Sequence, residues 1–380
     1  MKRKLSLILT CVMLLTLFAS CGTTDNSGIT TTAKDTVSTT ANVGDSTSEA
    51  ATSADEGDDA AKEAEAEALR TSFLAKANEV TVTDDAVTFT DGSGNGTVTV
   101  KKNPQKTINL YSSFTTLWYE AGGSVIGCIG GSSATVLYED YIGRDITQDS
   151  GVTTVATSAS DKKWDVETII AMKPDLIICS TAMSGYSTIQ APAAAANIPV
   201  VVMEYNDFSD YLKWFKVSCN LTGHPELWES VALAALDEVV DVLVSCPEEN
   251  NPTVFSMFSG SDALEANTSN TVVGGMITAM NAINIVDAWE NTTSAERLDI
   301  NLETVYAANP DIIVIQCHAG VDAAQALVEQ NYGSNPVWQA LTAVKEGRVY
   351  YLEKNLFHNK PNSRFAEAYA LLAEYLYPAQ

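Results

Sequence analysis

The stretch DVETIIAMKPDLIICS, residues 165–180, is repeated in outline by NLETVYAANPDIIVIQ, residues 301–316. Six of the sixteen positions are identical, and Glu167 and Glu303 occupy the same place in the two segments. In each, a polar residue suited to cap a helix precedes a short apolar helix, which a proline ends before a buried strand. The repeat predicts one helix–strand unit built twice, once in each half of the chain.

The sequence around this repeat predicts an α/β fold with two lobes. Short apolar, β-branched runs such as TINLYSS, SVIGCIGG, DLIICST and PVVVMEY alternate with helical stretches, which is typical of mostly parallel sheets. The glycine-rich DGSGNG between two alternating runs predicts a leading hairpin. We expect an N-terminal lobe over residues 80–225 and a C-terminal lobe over 251–378. A helix over 226–250 is long enough to join them as a rigid rod.

The first 79 residues have a different character. Residues 1–20 combine a basic start, a short apolar run and small residues, which predicts a signal peptide, and Cys21 follows where a bacterial lipobox places the lipidated cysteine. Residues 21–79, rich in Thr, Ser, Ala and acid, predict a flexible acidic linker, near whose end AAKEAEAEALRTSFLAKA favours a helix. The expected location is the extracytoplasmic face of a bacterial cell membrane.

Composition and motifs exclude several classes of function. The formal net charge of −26 argues against nucleic acid as a partner. The cysteines after Cys21 form no C-x-x-C pair and are expected to be buried thiols. No nucleophile–base motif, phosphate-binding loop or clustered metal ligands occur, so we expect no enzyme, no intrinsic cofactor and no site for a bare metal ion.

With these residues in view, the chain resembles the periplasmic binding proteins that serve ABC importers of iron chelates, haem and vitamin B12. The hairpin, the two repeated units and the C-terminal segment SNPVWQALTAVKEGRVYYLEKNLFHNKPNSRFAEAYALLAEYLYP carry the resemblance. It implies two lobes bridged by a rigid helix, with ligand between them. It also implies that Glu167 and Glu303 dock onto arginines of an ABC permease, which works with an ATPase.

Ligands of open α/β sheets bind beyond the carboxyl ends of the strands. That rule, with neighbouring loop and helix positions, nominates a set of ligand-binding candidates: Tyr111, Ser112, Trp164, Thr181, Met183, Tyr205, Phe258, His318, His358 and Arg364. His318 is the candidate for an axial ligand to a chelated metal. The aromatic residues and the arginine suit a bulky iron or cobalt chelate, and the sequence does not choose among a ferric siderophore, haem and a corrinoid.

The sequence therefore predicts a monomeric substrate-binding lipoprotein of an ABC transporter, engaged in iron or cobalamin transport. Two alternatives stay open: a surface ligand sensor or adhesin without transport, and a chelatase-like enzyme on a related scaffold. Neighbouring genes for a permease and an ATPase would separate the first alternative from the transport function.

Overall fold

The computed structural model describes residues 52–158, 164–290 and 292–378, with side chains from residue 60 onward. The predicted signal peptide and the lipidation site Cys21 lie outside these ranges. Among the helices of the described residues, none is both long enough and apolar enough to cross a membrane.

A long helix and a small antiparallel sheet precede the first lobe. The helix is α1 (Thr52–Asn78), and the strands are β1 (Thr81–Val82), β2 (Ala86–Thr90) and β3 (Thr97–Lys101). Strands β2 and β3 pair antiparallel around the glycine-rich turn, which confirms the predicted hairpin.

The first lobe is built on a five-stranded parallel sheet in the order β6-β5-β4-β7-β8. Its strands are β4 (Thr107–Asn109), β5 (Gly127–Ile129), β6 (Thr153–Ala156), β7 (Leu176–Cys179) and β8 (Val200–Val202). Its helices are α2 (Ser112–Glu120), α3 (Ser132–Ile142), α4 (Val166–Ala171) and α5 (Tyr186–Ala195), with a 3₁₀ turn at Ile146–Gln148. The order reverses between β4 and β7, which is where doubly wound sheets place their ligands.

A helical passage leads from the first sheet to the second. Helix α6 (Phe208–Thr222) ends at Gly223 in a left-handed conformation, and a π-helical turn (Trp228–Leu233) continues into α7 (Ala234–Ser245). The predicted rod over 226–250 is thus helical from Trp228 to Ser245. One face of α7 is buried, since Leu236, Val239, Val240 and Leu243 are each at most 3% exposed.

The second lobe is built on a mixed sheet in the order β12-β10-β9-β13-β14, with β11 beside β9. Its strands are β9 (Thr253–Ser259), β10 (Leu264–Asn267), β11 (Ile283–Asn284), β12 (Arg297–Asp299), β13 (Ile312–Cys317) and β14 (Val349–Leu352). Its helices are α8 (Val272–Ala279), α9 (Leu302–Ala308), α10 (Val321–Tyr332), α11 (Pro336–Ala340) and α12 (Thr342–Lys345), with a 3₁₀ turn at Ile285–Ala288. Two features of the prediction hold: an α/β fold and mostly parallel pairing.

A crossover segment, residues 353–364, and helix α13 (Phe365–Leu376) end the described chain. The segment contains a π-helical turn at Lys354–His358 and a 3₁₀ turn at Asn362–Arg364. Helix α13 returns to the helices of the first lobe, where Phe365 packs edge-on against Phe208 at 5.0 Å. The two lobes are therefore joined by aromatic packing as well as by α7.

The repeated unit has the same geometry in both lobes. The side chain of Asp165 accepts the N–H of Thr168 at 3.0 Å, and that of Asn301 accepts the N–H groups of Glu303 and Thr304. These are the predicted helix caps of α4 and α9.

The aspartate after each proline has an equivalent second role. Asp175 accepts the N–H groups of Gln105 and Lys106, just before β4, and Asp311 accepts the N–H of Thr253 at the start of β9. Each aspartate thus fixes the start of the central strand beside its own strand. The Pro-Asp pair is therefore explained by folding, independently of any partner.

The predicted flexible linker over 21–79 needs correction over Thr52–Asn78, which is helix α1. Its C-terminal half packs on α6 and α7: Ala66 and Ala77 are buried, and the ring of Phe73 lies 5.3 Å from that of Phe208. Lys76 pairs with Asp207 and Asp210 at 2.8 and 2.7 Å. Ordering this acidic segment costs conformational entropy. The apolar contacts and ion pairs with α6 and α7 offset that cost.

The cysteines of the described residues are free and buried, as predicted. Burial raises the pKa of the thiols of Cys128 and Cys246 to about 11 and of Cys179, Cys219 and Cys317 to about 12. Such thiols are protonated at neutral pH and unreactive.

Candidate functional site

A cavity of about 470 Å³ lies between the lobes at the carboxyl edge of the first sheet. The first lobe contributes residues that follow β4, β5, β6 and β7, and the second lobe closes it with His318 after β13 and with part of the crossover segment. The described residues that line it are Tyr111, Ser112, Ser113, Ile129, Gly130, Ser132, Ser133, Ala134, Thr157, Ser158, Met183, His318, Lys354, His358 and Asn359. This cavity is the candidate ligand site.

Two histidines from different parts of the second lobe meet at the cavity. Nδ1 of His318 lies 2.8 Å from Nε2 of His358, and the two rings are nearly perpendicular. Burial, then the neighbouring His318, Lys354, Arg297 and Lys360, lower the pKa of His358 to about 3. Burial and the same cations at 354 and 297 lower the pKa of His318 as well. Both rings are therefore neutral at physiological pH and share one hydrogen bond.

Three cations lie at or behind the cavity wall. Nζ of Lys354 is 3.4 Å from Oγ of Ser133 across the cleft. The guanidinium of Arg297 stacks on Phe258 at 3.9 Å, and Phe258 in turn lies beside His358. The amine of Lys360 is 5.4 Å from the ring of Tyr205. None of the three has a carboxylate within ion-pair distance among the described residues.

Burial has a clear effect on two of these cations. It lowers the pKa of Lys360 to about 8, although Glu296, Asp210 and Asp207 act in the opposite direction. Burial also lowers the pKa of Lys354. Burial therefore disfavours the positive charge of both lysines, and a bound anion would offset that cost.

Helices α2 and α3 start at the cavity without side-chain caps. Their N-cap residues, Tyr111 and Gly131, make no side-chain hydrogen bond to the first turn. Gly131 is required there, because its φ of 89° is left-handed and a Cβ atom would clash with the carbonyl oxygen of Thr157. By contrast, Asp165 and Asn301 cap the two helices that carry the matched glutamates.

The crossover segment binds the lobes together beside the cavity. The amide of Asn362 donates to Oγ1 of Thr116 at 2.9 Å, and Arg364 pairs with Asp140 at 2.9 Å. We call this contact between the crossover segment and the first lobe the joint. Within it, Ser363 donates a short hydrogen bond to Oε1 of Glu120. The other carboxylate oxygen of Glu120 is buried and has no partner in the described residues. Burial, only partly offset by Ser363, raises the pKa of Glu120 to about 7.

Five of the ligand-binding candidates lie along the cavity wall: Tyr111, Ser112, Met183, His318 and His358. All of them follow strands or belong to the crossover segment, as the strand-end rule requires.

The other five candidates are placed elsewhere, and packing gives the reason. Trp164 is 4% exposed, and its ring covers Gly185 inside the first lobe. Tyr205 is 2% exposed and stacks on Phe114, while its hydroxyl accepts the N–H of Asn362. These two residues stabilise the core of the first lobe and the joint.

The remaining three have partners within the protein. Thr181 donates to Glu204 at 3.0 Å, and Phe258 lies behind His358 rather than on the wall. Arg364 pairs with two carboxylates of the protein itself, those of Asp140 and Glu367.

Several residues of the cavity wall were not among the ligand-binding candidates predicted from the sequence. Ser132 and Ser133 follow β5 in CIGGSSATV, and the strand-end rule applied to that strand would have found them. Lys354 and Asn359 lie on an irregular segment after β14, and only the fold shows that this segment turns back over the first lobe.

Glu167 and Glu303 are exposed in the first turns of α4 and α9. Each helix follows a strand whose carboxyl end lies at the cleft edge of its sheet, because β6 and β12 both run parallel to their central strands. Neither side chain has an ion-pair partner among the described residues. The two carboxylates are thus available to a partner at the rims of the two lobes.

Comparisons with known proteins agree with this architecture. Residues 113–356 match the family described as periplasmic binding protein. A Bacillus subtilis protein named as the uncharacterized ABC transporter substrate-binding lipoprotein YvrC is 26% identical over 76% of this chain and 85% of its own length. The Fe(3+)-citrate-binding protein YfmC of B. subtilis is 23% identical over 68% of this chain and 76% of its own length.

Solved structures show the same fold. S. aureus IsdE, solved in complex with heme, superimposes with a TM-score of 0.57 at 14% identity, covering 72% of this chain and 98% of IsdE.

Proposed function

Because the chain belongs to the periplasmic-binding-protein family, we propose that it captures a metal chelate between its two lobes and delivers it to an ABC permease. The ligand classes of the proposal are a ferric siderophore, haem and a corrinoid. The names of YvrC, an ABC transporter lipoprotein, and of YfmC, a ferric-citrate binder, support the two halves of the proposal. In this role the chain binds and releases its cargo without chemical change.

The observation that carries the proposal is the cavity itself. It is lined from both lobes, so a ligand inside contacts both and is released when they separate. Its volume of about 470 Å³ is within the range of small-molecule sites. A neutral imidazole can coordinate iron, so His318 could bind the metal of a chelate that has an open coordination position. The proposal therefore includes His318 as the axial ligand.

The proposal also includes anchoring and docking. We infer that lipid on Cys21 holds the protein at the extracytoplasmic face of the membrane, as the sequence pattern around it indicates. Glu167 and Glu303 then present one carboxylate from each lobe to basic sockets of the permease. Charge-assisted pairs with arginine are strong and directional, so two of them sense the relative position of the lobes.

Ligand capture is tested by calorimetric titration of the purified protein with ferric citrate, hemin, a neutral ferric trihydroxamate and cyanocobalamin. We expect at least one chelate to bind with a dissociation constant of about 1 μM or lower. Ser132→Phe, which places a ring in the cavity, should weaken that binding by about tenfold or more because it occupies ligand volume.

Thr97→Phe is the matched control, since Thr97 is exposed on β3 away from the cavity. It should bind as the unmodified protein does. If no chelate binds, or if Ser132→Phe binds as tightly as Thr97→Phe, the proposed capture in this cavity is wrong.

A further inference from the structure

The charge of the cavity is opposite to that of the protein. The chain has 48 acidic and 22 basic residues, yet none of the described residues that line the cavity is Asp or Glu. The wall instead carries Lys354, the two histidines and a series of hydroxyl groups. The absence of carboxylates from the cavity wall of such an acidic protein therefore calls for an explanation.

The cations at the cleft are held without counter-ions. Lys354 lies on the wall, and its contact with Ser133 is at the long limit of a hydrogen bond. Arg297 and Lys360 lie just behind the wall and, like Lys354, have no carboxylate within ion-pair distance among the described residues. Arg364, at the end of the crossover segment, shows the contrast, because it is fully paired with Asp140 and Glu367. Unpaired, partly buried cations are costly unless a ligand supplies the negative charge.

Backbone donors add to these cations. The N–H groups of Ser112 and Ser113, at the start of α2, and of Ser132 and Ser133, at the start of α3, have no acceptor among the described residues. Unpaired N–H groups at helix starts carry partial positive charge and bind anions. Two such helix starts and Lys354 therefore converge on one cavity.

We propose that the cargo is an anionic chelate, whose carboxylate or catecholate oxygen atoms bind Lys354 and the N–H groups at the starts of α2 and α3. This inference rests on the proposed function and narrows its ligand classes. Chelates with peripheral anionic oxygens fit the cleft, and they include ferric citrate, ferric catecholates and haem with its carboxylates. Neutral trihydroxamates bring no anionic oxygen to the cations and the N–H groups, and cyanocobalamin, which is neutral overall, brings no carboxylate or catecholate oxygen.

The test compares Lys354→Gln, Lys354→Arg and Lys101→Gln by calorimetric titration. Lys101 is exposed on β3 and serves as the matched control for loss of one positive charge. The probes are ferric citrate, hemin, a neutral ferric trihydroxamate, cyanocobalamin and metal-free citrate. We expect an anionic chelate to bind most tightly, with affinity falling as salt is added. Lys354→Gln should weaken it by about tenfold, whereas Lys354→Arg and Lys101→Gln should keep it.

The outcomes separate this inference from the proposed function. Tightest binding of the trihydroxamate or cyanocobalamin overturns the anionic class and leaves chelate capture intact. Equal affinity of Lys354→Gln and Lys101→Gln for the anionic chelate overturns the role of Lys354. Metal-free citrate binding as well as ferric citrate supports the anionic class and contradicts the requirement for a metal. Failure of all chelates to bind overturns both proposals.

Discussion

Glu120 is the residue at which the joint between the lobes becomes sensitive to pH. Its carboxyl group is buried between α2 and the crossover segment, with one oxygen bonded by Ser363 and the other unpartnered among the described residues. The charge of Glu120 acts on the nearby hydroxyl groups of Tyr141, Tyr205 and Tyr211. These hydroxyls are neutral, because burial raises the pKa of each. The neutral form of Glu120 is therefore the form that suits the folded protein.

The sign of the pH dependence follows from the raised pKa. The folded protein holds the Glu120 proton up to about pH 7, whereas the unfolded chain releases it near the ordinary value of 4.5. The contribution of Glu120 to stability is therefore intact below about pH 4.5 and declines as the pH rises to about 7. Glu120→Gln should remove this decline and stabilise the protein by about 2 kcal/mol at about pH 8.

Urea denaturation at several pH values between about 5 and about 8 measures this effect. Glu139→Gln, an exposed carboxyl on α3, is the control and should follow the pH profile of the unmodified protein. Parallel profiles for Glu120→Gln and Glu139→Gln would show that Glu120 does not control the joint.

At the scale of elements, α1 is a structural part of the body rather than a tether. It crosses α6 and α7 through Phe73, through the pairing of Arg70 with Asp237 and through the ion pairs of Lys76 with α6 and its cap. The helical passage between the lobes therefore has a second helix along its outside. We expect α1 to stiffen this passage.

Phe73→Ala tests the packing of α1. It removes a half-buried ring from contact with Phe208 and should lower the free energy of unfolding by about 2 kcal/mol. Ser72→Ala, an exposed neighbour on the same helix, should change it by less than about 0.5 kcal/mol. Equal denaturation midpoints for the two variants would mean that α1 adds nothing to the body of the protein.

The elements also show how far the sequence predicts the structure. Local chemistry determined the parts that came out as expected: the caps Asp165 and Asn301, the hairpin around DGSGNG, and the stop at each proline. Long-range packing determined the rest. An aromatic residue after a strand can face the cleft or the core, and Tyr205 turned inward because Asn362 and Phe114 come to it from distant parts of the chain.

The molecule as a whole combines a cleft between its lobes with one exposed glutamate on each lobe. The cleft lies at the carboxyl ends of the strands, and Glu167 and Glu303 stand exposed at equivalent places on the two lobes. A helix cap alone explains Asp165 and Asn301, but it does not require an exposed glutamate two residues later in both lobes. The helix dipole favours an acidic residue in the first turn of each helix, and the proposed docking onto a partner that contacts both lobes accounts for the matched position in the two lobes.

The most direct test of this claim is uptake of radiolabelled iron chelate by cells in which Glu167→Ala/Glu303→Ala replaces the unmodified protein. Glu139→Ala/Glu329→Ala removes one exposed carboxylate from each lobe elsewhere and is the control. We expect uptake to fall by about tenfold or more in the variant that lacks Glu167 and Glu303 and not in the control, while the affinity of that variant for the chelate in solution is unchanged. If this variant takes up the chelate as well as the control does, Glu167 and Glu303 do not dock the protein onto a permease.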